Sequence, residues 1–403
     1  MYDLLARVPW PVFETLVKQH NADKHIRKLP TKTQFIALAF GQLAGIAGLR
    51  ETVTVINSHE AQLYHLGARP VKISTLSDAN RLRPSAVYET LFAHMAASAH
   101  KSLRQELDTL VYLIDSTSLK LNNRSGGWAR FSEEVCGAKL HIIHDPDAGQ
   151  PIRAVFSAAN VNDITVARNM PVVPGATYVF DLGYYHFGWW QAMHEKRCRF
   201  VTRLKTNTKL TVTSERRVRS DTGVMSDRTG RLPARLAGSR RNPFRDEVRE
   251  VRVRTDTGKI LRILTNDLEA PADEIAALYK RRWAIELYFR WIKQTLAIRK
   301  FIGTSENAVR THIFIALIVF LLLRMAHANQ TAVASPLDFV RLARPHLMNR
   351  RDITRLRPPR PRRAPDMVPE APNHAPPWRR PHEFTARLSL NEGYIHRMCR
   401  YEN

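Results

Sequence analysis

Three acidic residues stand where a carboxylate is costly unless it has a chemical role. Asp115 follows four apolar residues in VYLID, Asp181 ends the run YVF, and Glu286 lies within the aromatic-rich stretch YKRRWAIELYFRWIK (279–293). An unpaired carboxylate on an inner strand loses its hydration, although an aspartate at a strand end is also a common turn former or helix cap. Oxygen ligands suit hard divalent cations, so together the three residues predict a Mg²⁺ or Mn²⁺ site.

One helical face of residues 279–293 combines this glutamate with basic and phenolic groups. At about 100° per residue, four side chains fall within an arc of about 60°: Tyr279, Arg282, Glu286 and Lys293. The apolar side chains point to another side of the same helix: Ile285, Tyr288, Ile292 and Leu296. Cations beside a metal-binding carboxylate are suited to binding phosphate. The alternative is a solvated helix face in which Glu286 and Arg290 form an i, i+4 ion pair.

The elements that must position these residues form a mixed α/β pattern over 105–205. Strand-like runs cover 107–121, 138–145 and 151–160, and the turn-rich PDAGQ joins the last two as antiparallel neighbours. A short helix, a strand, a helix and a strand are then predicted in turn: DITVARNM, ATYVFDLGYY, FGWWQAMHE and RFVTRLK.

Residues 1–104 have the three- and four-residue apolar spacing of helices. Within them, STLSDANRLRPSA predicts a helix capped by Ser77 or Asp78, followed by Arg81 and Arg83, with Pro84 opening the next helix. This all-helical N-terminal domain is either a helix-turn-helix DNA reader or an ordinary packing domain, and pattern alone favours neither.

Residues 206–267 predict a basic, β-rich segment. Between 206 and 264 there are 15 Lys and Arg against 7 Asp and Glu, with alternation in VREVRVRT and KILRILT. The alternative is a solvated surface ribbon. Helical periodicity returns over 268–344, with one helix from Pro271 to about Arg299 and another over roughly 306–328. The apolar run from Ile313 to Leu323 is shorter than the roughly 20 residues of a membrane span, which predicts a buried helix.

The last part of the chain differs in composition. Residues 357–381 contain nine of the 23 prolines and six arginines, which predicts an extended or disordered tail over 345–403.

The overall charge indicates a polyanionic partner. The 403 residues include 62 Lys and Arg against 37 Asp and Glu, for a net charge of +25, and nucleic acid is the first candidate partner. The three cysteines are far apart, which excludes a disulfide framework or a thiolate zinc site and agrees with the cytoplasm. We also expect no secretory signal at the N-terminus.

These motifs resemble the DDE transposases of bacterial insertion sequences, in insertion-sequence family four. The signature Y-x2-R-x3-E-x6-K is present as Tyr279, Arg282, Glu286 and Lys293, LIDSTSL resembles the surroundings of the first catalytic aspartate, and DLGYYHF those of the second. LSDANRLRP is similar to the leading domain of one subgroup. The resemblance covers roughly residues 1–340.

The resemblance implies an RNase H-like catalytic core interrupted by the β-rich insertion at 206–267. It implies that Asp115, Asp181 and Glu286 hold two Mg²⁺ ions about 4 Å apart for DNA cleavage and strand transfer. It also implies that Tyr279, Arg282 and Lys293 position DNA phosphates.

Three further expectations come from the same family. The partners are double-stranded DNA at the element ends and at the target, bound by a homodimer in the synaptic complex. The flanking strand is released through a hairpin, and an aromatic side chain of the insertion can stack a flipped base. Phe244 is the one aromatic residue between 206 and 264, so that assignment stays open.

Several alternatives remain at this level. A nuclease on the same fold would cut DNA without joining it, and a catalytically silent DNA-binding remnant is suggested by the tail, where a shift of reading frame is one hypothesis. A membrane-surface role is poorly supported, since the basic residues do not gather on one amphipathic helix. The histidines of HIIHD should face opposite sides of a strand, and Trp189 and Trp190 should anchor the core.

Overall fold

The computed structural model describes residues 1–103, 110–219, 223–235, 241–255, 257–296, 298, 300–349 and 352–357. All of these belong to one unit, Met1–Pro358. The boundary predicted at 104/105 and most of the predicted tail lie outside the described residues.

Residues 1–103 form helices, whose bounds are α1 Tyr2–Leu5, α2 Trp10–Gln19, α3 Thr31–Ala44, α4 Leu49–Asn57, α5 Glu60–His65, α6 Ile73–Leu82 and α7 Ala86–Leu103. Helix α3 is buried along nearly its whole length. It ends at Gly45, whose φ of 75° is a left-handed conformation that glycine adopts without steric cost.

Helix α6 corrects the predicted helix start. Ser77 and Asp78 lie inside α6 rather than capping it, because the helix begins one turn earlier, at Ile73, after Lys72. Helix α7 begins at Ala86, and the Pro84 carbonyl accepts a hydrogen bond from the Val87 amide.

Arg83 is buried and takes part in the packing of the N-terminal helices. Its guanidinium donates to Gln34 Oε1 at 3.0 Å, and Gln34 in turn donates to Asn80 Oδ1 at 2.9 Å. Asn307 donates to the carbonyl of Asn80 at 3.0 Å and accepts from the Ser85 amide at 3.0 Å. This network joins the N-terminal helices to a helix more than 200 residues away in the chain, since buried polar groups must find partners.

A nine-stranded sheet forms the centre of the protein. Its strands are β1 Val111–Leu121, β2 Cys136–Asp145, β3 Gln150–Ala158, β4 Thr177–Val179, β5 Arg199–Arg203, β6 Thr211–Arg216, β7 Val224–Arg231, β8 Val248–Arg254 and β9 Ile260–Thr265. The spatial order is β3-β2-β1-β4-β5-β9-β8-β7-β6. Strands β1, β4 and β5 are parallel, and the other neighbouring pairs are antiparallel. The strands from 206–267 therefore extend the same sheet.

Helices cover both faces of this sheet, which makes the fold mixed α/β. Their bounds are α8 Gly126–Ala129, α9 Asp163–Ala167, α10 Phe187–Glu195, α11 Ala272–Arg281, α12 Trp283–Thr295, α13 Glu306–Ala328 and α14 Pro336–Ala343. Alternate residues of β1 enter two hydrophobic clusters, with Leu113 in the cluster that contains α12 and α13, and Ile114 in the cluster that contains α10. Trp189 and Trp190 are buried in the second cluster, as predicted.

Helix α13 is the central core helix. The helix has 23 residues, and an 18-residue window of it has a mean hydropathy of 2.0, so by length and composition alone it is long and apolar enough for a membrane span. The predicted run Ile313 to Leu323 lies within this longer helix. Its burial was predicted correctly, since 83% of the apolar window is buried inside the protein.

Two further boundaries differ from the predictions. The helix predicted from Pro271 to Arg299 is two helices, which meet at Arg282. There the amides of Arg282 and Ile285 donate to carbonyls three residues back in the chain, as in a 3-10 turn, instead of four residues back as in an α-helix. The tail predicted from 345 begins later, since Leu347, Ile353 and Leu356 are buried in the core.

A buried ion pair holds β7 and β8 against α11. Arg249 donates two hydrogen bonds of 2.7 Å to Asp227, and it also donates to the carbonyl of Ala270, just before α11. Both side chains are at most 4% exposed. We expect Asp227→Ala to lower the free energy of unfolding by about 3–5 kcal/mol, because it leaves a buried guanidinium unpaired.

Urea denaturation followed by circular dichroism measures that loss. The matched control is Glu215→Ala, which removes the partner of Arg228 on the neighbouring surface and should cost less than about 1 kcal/mol. Equal losses for the two variants would contradict the burial of Arg249.

Candidate functional site

The pairing of β1 with β4 brings two of the predicted residues together. Leu113 pairs with Val179 in the parallel register, and Asp115 and Asp181 each lie two residues further on. Because side chains two apart on a strand share a face, both aspartates project on the same side of neighbouring strands, which lie about 4.8 Å apart. Their proximity comes from strand register and not from any feature of the local sequence.

The segment after Asp181 keeps its carboxylate in place. Asp181 Oδ1 accepts a hydrogen bond from the Gly183 amide at 2.8 Å as the chain enters a short 3-10 turn. A side chain at position 183 would crowd this carboxylate, since an added Cβ would lie 3.0 Å from Asp181 Oδ1. Local sterics therefore explain why glycine follows two residues after the aspartate in the D-x-G sequence.

Glu286 approaches the aspartates from α12, which packs on β1. Its Oε1 lies 2.5 Å from Arg282 Nη2, while Arg282 Nη1 lies 3.6 Å from Asp115 Oδ2. The guanidinium therefore stands between the two carboxylates. Ile285, Tyr288, Ile292 and Leu296 are buried beneath, which confirms the predicted apolar face.

The pKa values of Asp115 and Arg282 are shifted by burial and by the neighbouring charges. Burial, and after it the charge of Asp181, raises the pKa of Asp115 to about 7, against the opposing pull of the Ser116 amide and Arg282. Burial alone would lower the pKa of Arg282, but Tyr279, Glu286 and Asp115 raise it above its usual value. The site is short of positive charge even with Arg282 inside it.

The remaining two residues of the predicted helical face, Tyr279 and Lys293, border the same site. Burial raises the pKa of the Tyr279 phenol, while Arg282 and Arg203 nearby pull it down. Lys293 Nζ donates to the carbonyl of Ser118, three residues beyond Asp115 on β1, at 3.0 Å. The predicted residues thus lie around the middle of β1, next to the point where β4 ends.

Arg203 joins the site and was missed by sequence reasoning. Val201 of β5 pairs with Val179, so Arg203 occupies the position equivalent to Asp115 and Asp181 on the third parallel strand. Its side chain lies near Tyr279. The only signal that identifies it is the register of β5, which the sequence does not specify.

The chemistry of the donor set fits a hard divalent cation. Asp115, Asp181 and Glu286 offer only carboxylate oxygens, which Mg²⁺ prefers. Within the described residues, no three acidic, histidine or cysteine side chains stand close enough together to hold an ion at once. Arg282 occupies the space between Asp115 and Glu286, and its guanidinium serves there as the counter-cation.

A cavity of about 580 Å³ opens beside the site, between α11 and the β8–β9 hairpin. Its walls combine apolar, aromatic and basic side chains, among them Val253, Ile263, Tyr279, Lys280, Arg282 and Trp283. Trp283 is 44% exposed although it directly follows Arg282. Phe244, in contrast, is 2% exposed and packs on Phe200 and His194. Phe244 is therefore excluded as a stacking platform.

The two histidines of HIIHD have separate environments. His141 bonds to Ser157 Oγ at 2.8 Å, and burial lowers its pKa to about 4. His144 packs against the Tyr288 ring on the α12 side, with centroids 5.0 Å apart.

The chain is similar to several known proteins. Residues 106–322 match the family described as Transposase DDE domain, which is more than half of the chain. The chain belongs to the DDE transposase family. Residues 2–69 of this transposase also match a domain of unknown function, DUF4372.

Named relatives are transposases of bacterial insertion sequences or are described simply as transposases. The transposase is 40% identical to Putative transposase y4zB of Sinorhizobium fredii, over 79% of this chain and 86% of the relative. It is 29% identical to Probable transposase for insertion sequence element IS5377 of Geobacillus stearothermophilus, over 66% of this chain and 72% of the relative. A cryo-EM structure of a piggyBac transposase synaptic complex with hairpin DNA covers 85% of this chain and 79% of its own, at 12% identity and TM-score 0.43, a score too low to establish a shared fold.

The raised pKa of Asp115 predicts how stability depends on pH. The folded transposase keeps a proton on Asp115 up to about pH 7, whereas the unfolded chain releases it near its ordinary value of 3.8. Between these values the folded state binds more protons, so stability falls as pH rises. We expect Asp115→Asn to match the parent at pH 4 and to exceed it by about 1–3 kcal/mol at pH 8.

Thermal unfolding in the presence of a chelator, at several pH values, measures this difference. Asp338→Asn, on the exposed face of α14, is the matched control. A difference for Asp115→Asn that stays constant from pH 4 to 8 would show that this carboxyl titrates normally.

Proposed function

We propose that this transposase binds the terminal inverted repeats of an insertion sequence, cleaves the DNA at the element ends and joins the 3′ ends to target DNA. The observation that carries the proposal is the placement of Asp115 and Asp181 side by side on neighbouring parallel strands, with the Arg282 guanidinium between Asp115 and Glu286. The family membership and the intact signature of insertion-sequence family four support it.

The finer fold assignment belongs to the same proposal. We assign β1–β5, with the helices that cover them, to an RNase H-like core, and residues 206–267 to an insertion whose strands lengthen the core sheet. The order β3-β2-β1-β4-β5, with β1, β4 and β5 parallel and β2 antiparallel, supports this. The helices of residues 1–104 would form the N-terminal domain that binds the element end.

The three carboxylates would hold two Mg²⁺ ions, or Mn²⁺ in their place. When bound, such ions activate the attacking oxygen and stabilise the leaving oxygen at phosphorus. In cleavage, a water oxygen forms a bond to phosphorus and the bond to the 3′ oxygen breaks. In strand transfer, the freed 3′ hydroxyl attacks a target phosphate, and a target 3′ oxygen leaves.

The basic residues would position DNA rather than read its sequence. Arg282 would exchange its carboxylate partners for a phosphate of the bound strand, and Lys293, Arg203 and the Tyr279 hydroxyl would contact neighbouring phosphates. A planar guanidinium is suited to this because it offers paired donors to phosphate oxygens.

We further assign the flipped base to the cavity beside Trp283. Its apolar wall fits the face of a base, and Arg282 and Lys280 fit the adjoining phosphate. Trp283 replaces Phe244 as the candidate aromatic residue, although it lies on α12 and not in the insertion.

The partners follow from this reaction. The transposase would act on double-stranded DNA at the element end and at the target, as a homodimer that pairs two ends, in the bacterial cytoplasm at the nucleoid. No membrane takes part in this proposal.

A strand-transfer assay tests the function. Purified protein, duplex DNA carrying the element end, and target DNA are incubated with Mg²⁺, and products are resolved on a denaturing gel. We expect joined products, and we expect Asp115→Ala, Asp181→Ala and Glu286→Ala each to lower their rate by more than about 100-fold, beyond the loss typical of residues outside the metal shell.

Asp338→Ala is a matched control, because it also removes a carboxylate paired with an arginine, on the exposed surface of α14. Nicked products without joining would support a nuclease. Absence of both products, with DNA binding retained, would support a silent remnant. Full activity in any of the three variants would remove that residue from the site.

Trp283→Ala tests the base cavity. With 2-aminopurine in the DNA next to the cleaved end, we expect binding of the parent to quench the fluorescence of a stacked base and Trp283→Ala to lose that quenching. Loss of stacking worth about 1–3 kcal/mol should slow hairpin formation about 5- to 150-fold. Phe131→Ala removes another exposed aromatic ring and should have no effect. Unchanged quenching in Trp283→Ala would contradict the assignment.

A further inference from the structure

A fourth carboxylate, which no motif of the sequence singles out, borders the candidate site. Asp163 is the first residue of α9, and α9 packs against the 3-10 turn Leu182–Tyr184 that follows Asp181. A Cβ added at Gly183 would lie 3.0 Å from Asp181 Oδ1 and 3.5 Å from Asp163 Oδ2. The two carboxylates therefore approach the same glycine.

Lys139 of β2 holds the Asp163 carboxylate. Its Nζ donates to Asp163 Oδ1 at 3.0 Å and to the carbonyl of Val161 at 3.1 Å. The other oxygen, Oδ2, is the one that approaches Gly183. Asp163 thus lies between a cation and the turn after Asp181. Because the two side chains of this ion pair are no more than 24% exposed, water and salt screen their charges less than at an open surface.

Strand register determines the side from which Lys139 reaches this place. Lys139 pairs with Ser118 in the antiparallel register of β1 and β2, and directly opposite residues share a face of the sheet. Since successive residues of β1 alternate between faces, Lys139 lies on the face opposite to Asp115. Lys139 therefore approaches from the side of the sheet away from α12, which supplies Glu286 and Arg282's contact to Asp115.

A buried histidine beside the ion pair is uncharged. His141 Nδ1 lies 3.8 Å from Asp163 Oδ1, and His141 Nε2 bonds with Ser157 Oγ at 2.8 Å. Burial lowers the pKa of His141 to about 4, although the charge of Asp163 opposes this shift. At neutral pH the imidazole is therefore neutral, and Lys139 supplies the positive charge next to Asp163.

A buried phenol places Asp163 in the same electrostatic environment as the two aspartates of the site. Tyr184, in the turn after Asp181, is 1% exposed. Burial, and after it the charges of Asp115, Asp163 and Asp181, raises the pKa of this phenol well above its usual value. One buried group thus responds to all three carboxylates, so the charge of Asp163 contributes to the potential at the site.

We propose that Asp163 is a positioning residue for the cation site: held by Lys139, it adds negative potential behind Asp181 and so strengthens the binding of a divalent cation. Asp163 acts through Asp181 and the turn at Gly183, as residues behind a metal ligand commonly do. Lys139 partly offsets this effect, because its charge has the opposite sign and is bound to the oxygen of Asp163 that is turned away from Gly183. The inference rests on the proposed function for the presence of the cation.

The two partners of the ion pair should change metal affinity in opposite directions. Asp163→Asn keeps an oxygen acceptor for Lys139 but removes the negative charge, and we expect it to weaken Mn²⁺ binding about 10-fold. Lys139→Gln keeps a donor to Asp163 but removes the positive charge, and we expect it to strengthen Mn²⁺ binding about 3-fold, less because Coulomb interactions weaken with distance. The affinity of the double variant should lie between those of the two single variants.

Electron paramagnetic resonance of free Mn²⁺ measures the affinity, since the signal of the free ion falls as it binds. The full chain is bound to a duplex that already ends at the cleavage site, so no DNA bond is broken during the titration, and the same duplex alone gives the background. Asp338→Asn makes the same change of net charge on the surface of α14 and should leave the affinity unchanged. Lys139→Arg keeps the positive charge and should match the parent.

The direction of the Lys139→Gln effect decides between electrostatic positioning and a purely structural ion pair. A structural pair would weaken Mn²⁺ binding in both single variants, because either change would loosen the turn after Asp181, and that result overturns the inference. Equal affinity in the parent and in Asp163→Asn overturns it as well. A parent whose Mn²⁺ binding is unchanged by Asp181→Asn would instead contradict the proposed metal site itself, so the two failures are seen separately.

Discussion

Asp115, Asp181 and Glu286 lie around the point where β4 ends beside the middle of β1, and several features of the surrounding structure offset the mutual repulsion of their charges. The parallel register puts Asp115 and Asp181 side by side, and α12 adds Glu286. Burial and the neighbouring charge raise the pKa of Asp115, which measures the cost of the arrangement. Arg282 offsets part of that cost by lying between Asp115 and Glu286. A site that carries such a cost is suited to a cation, since a cation is what the carboxylates lack.

The break between α11 and α12 positions residues of both helices at the candidate site. Arg282 sits at the junction, where i to i+3 bonds tighten the turn. Tyr279 comes from the end of one helix and Glu286 from the start of the next. The junction also leaves Trp283 exposed at the rim of the cavity, while Ile285 two residues later is fully buried. One short stretch therefore supplies the phosphate-binding, metal-binding and base-stacking candidates together.

The arginines that give the chain its high positive charge have more than one structural role. Arg83 and Arg249 are buried and bind protein carbonyls and side chains, so neither is available to a partner. Arg252 and Arg262 share the buried carboxylate of Glu250, and Arg252 is the more exposed of the two. Net charge alone indicates a polyanionic partner, but burial decides which arginines can meet it.

The sequence by itself determined the local elements and the residue types of the site. Apolar periodicity located the strands and the buried face of α12, and the Y-x2-R-x3-E-x6-K spacing selected residues that do lie together, because both signals depend on short-range geometry. Tertiary structure decided what depends on long-range pairing: the register that aligns Asp115, Asp181 and Arg203, the burial of Phe244 and Arg83, and the packing of Ile353 against the core. Those outcomes depend on which distant segments meet, and a one-residue change of register would reverse every side chain on a strand.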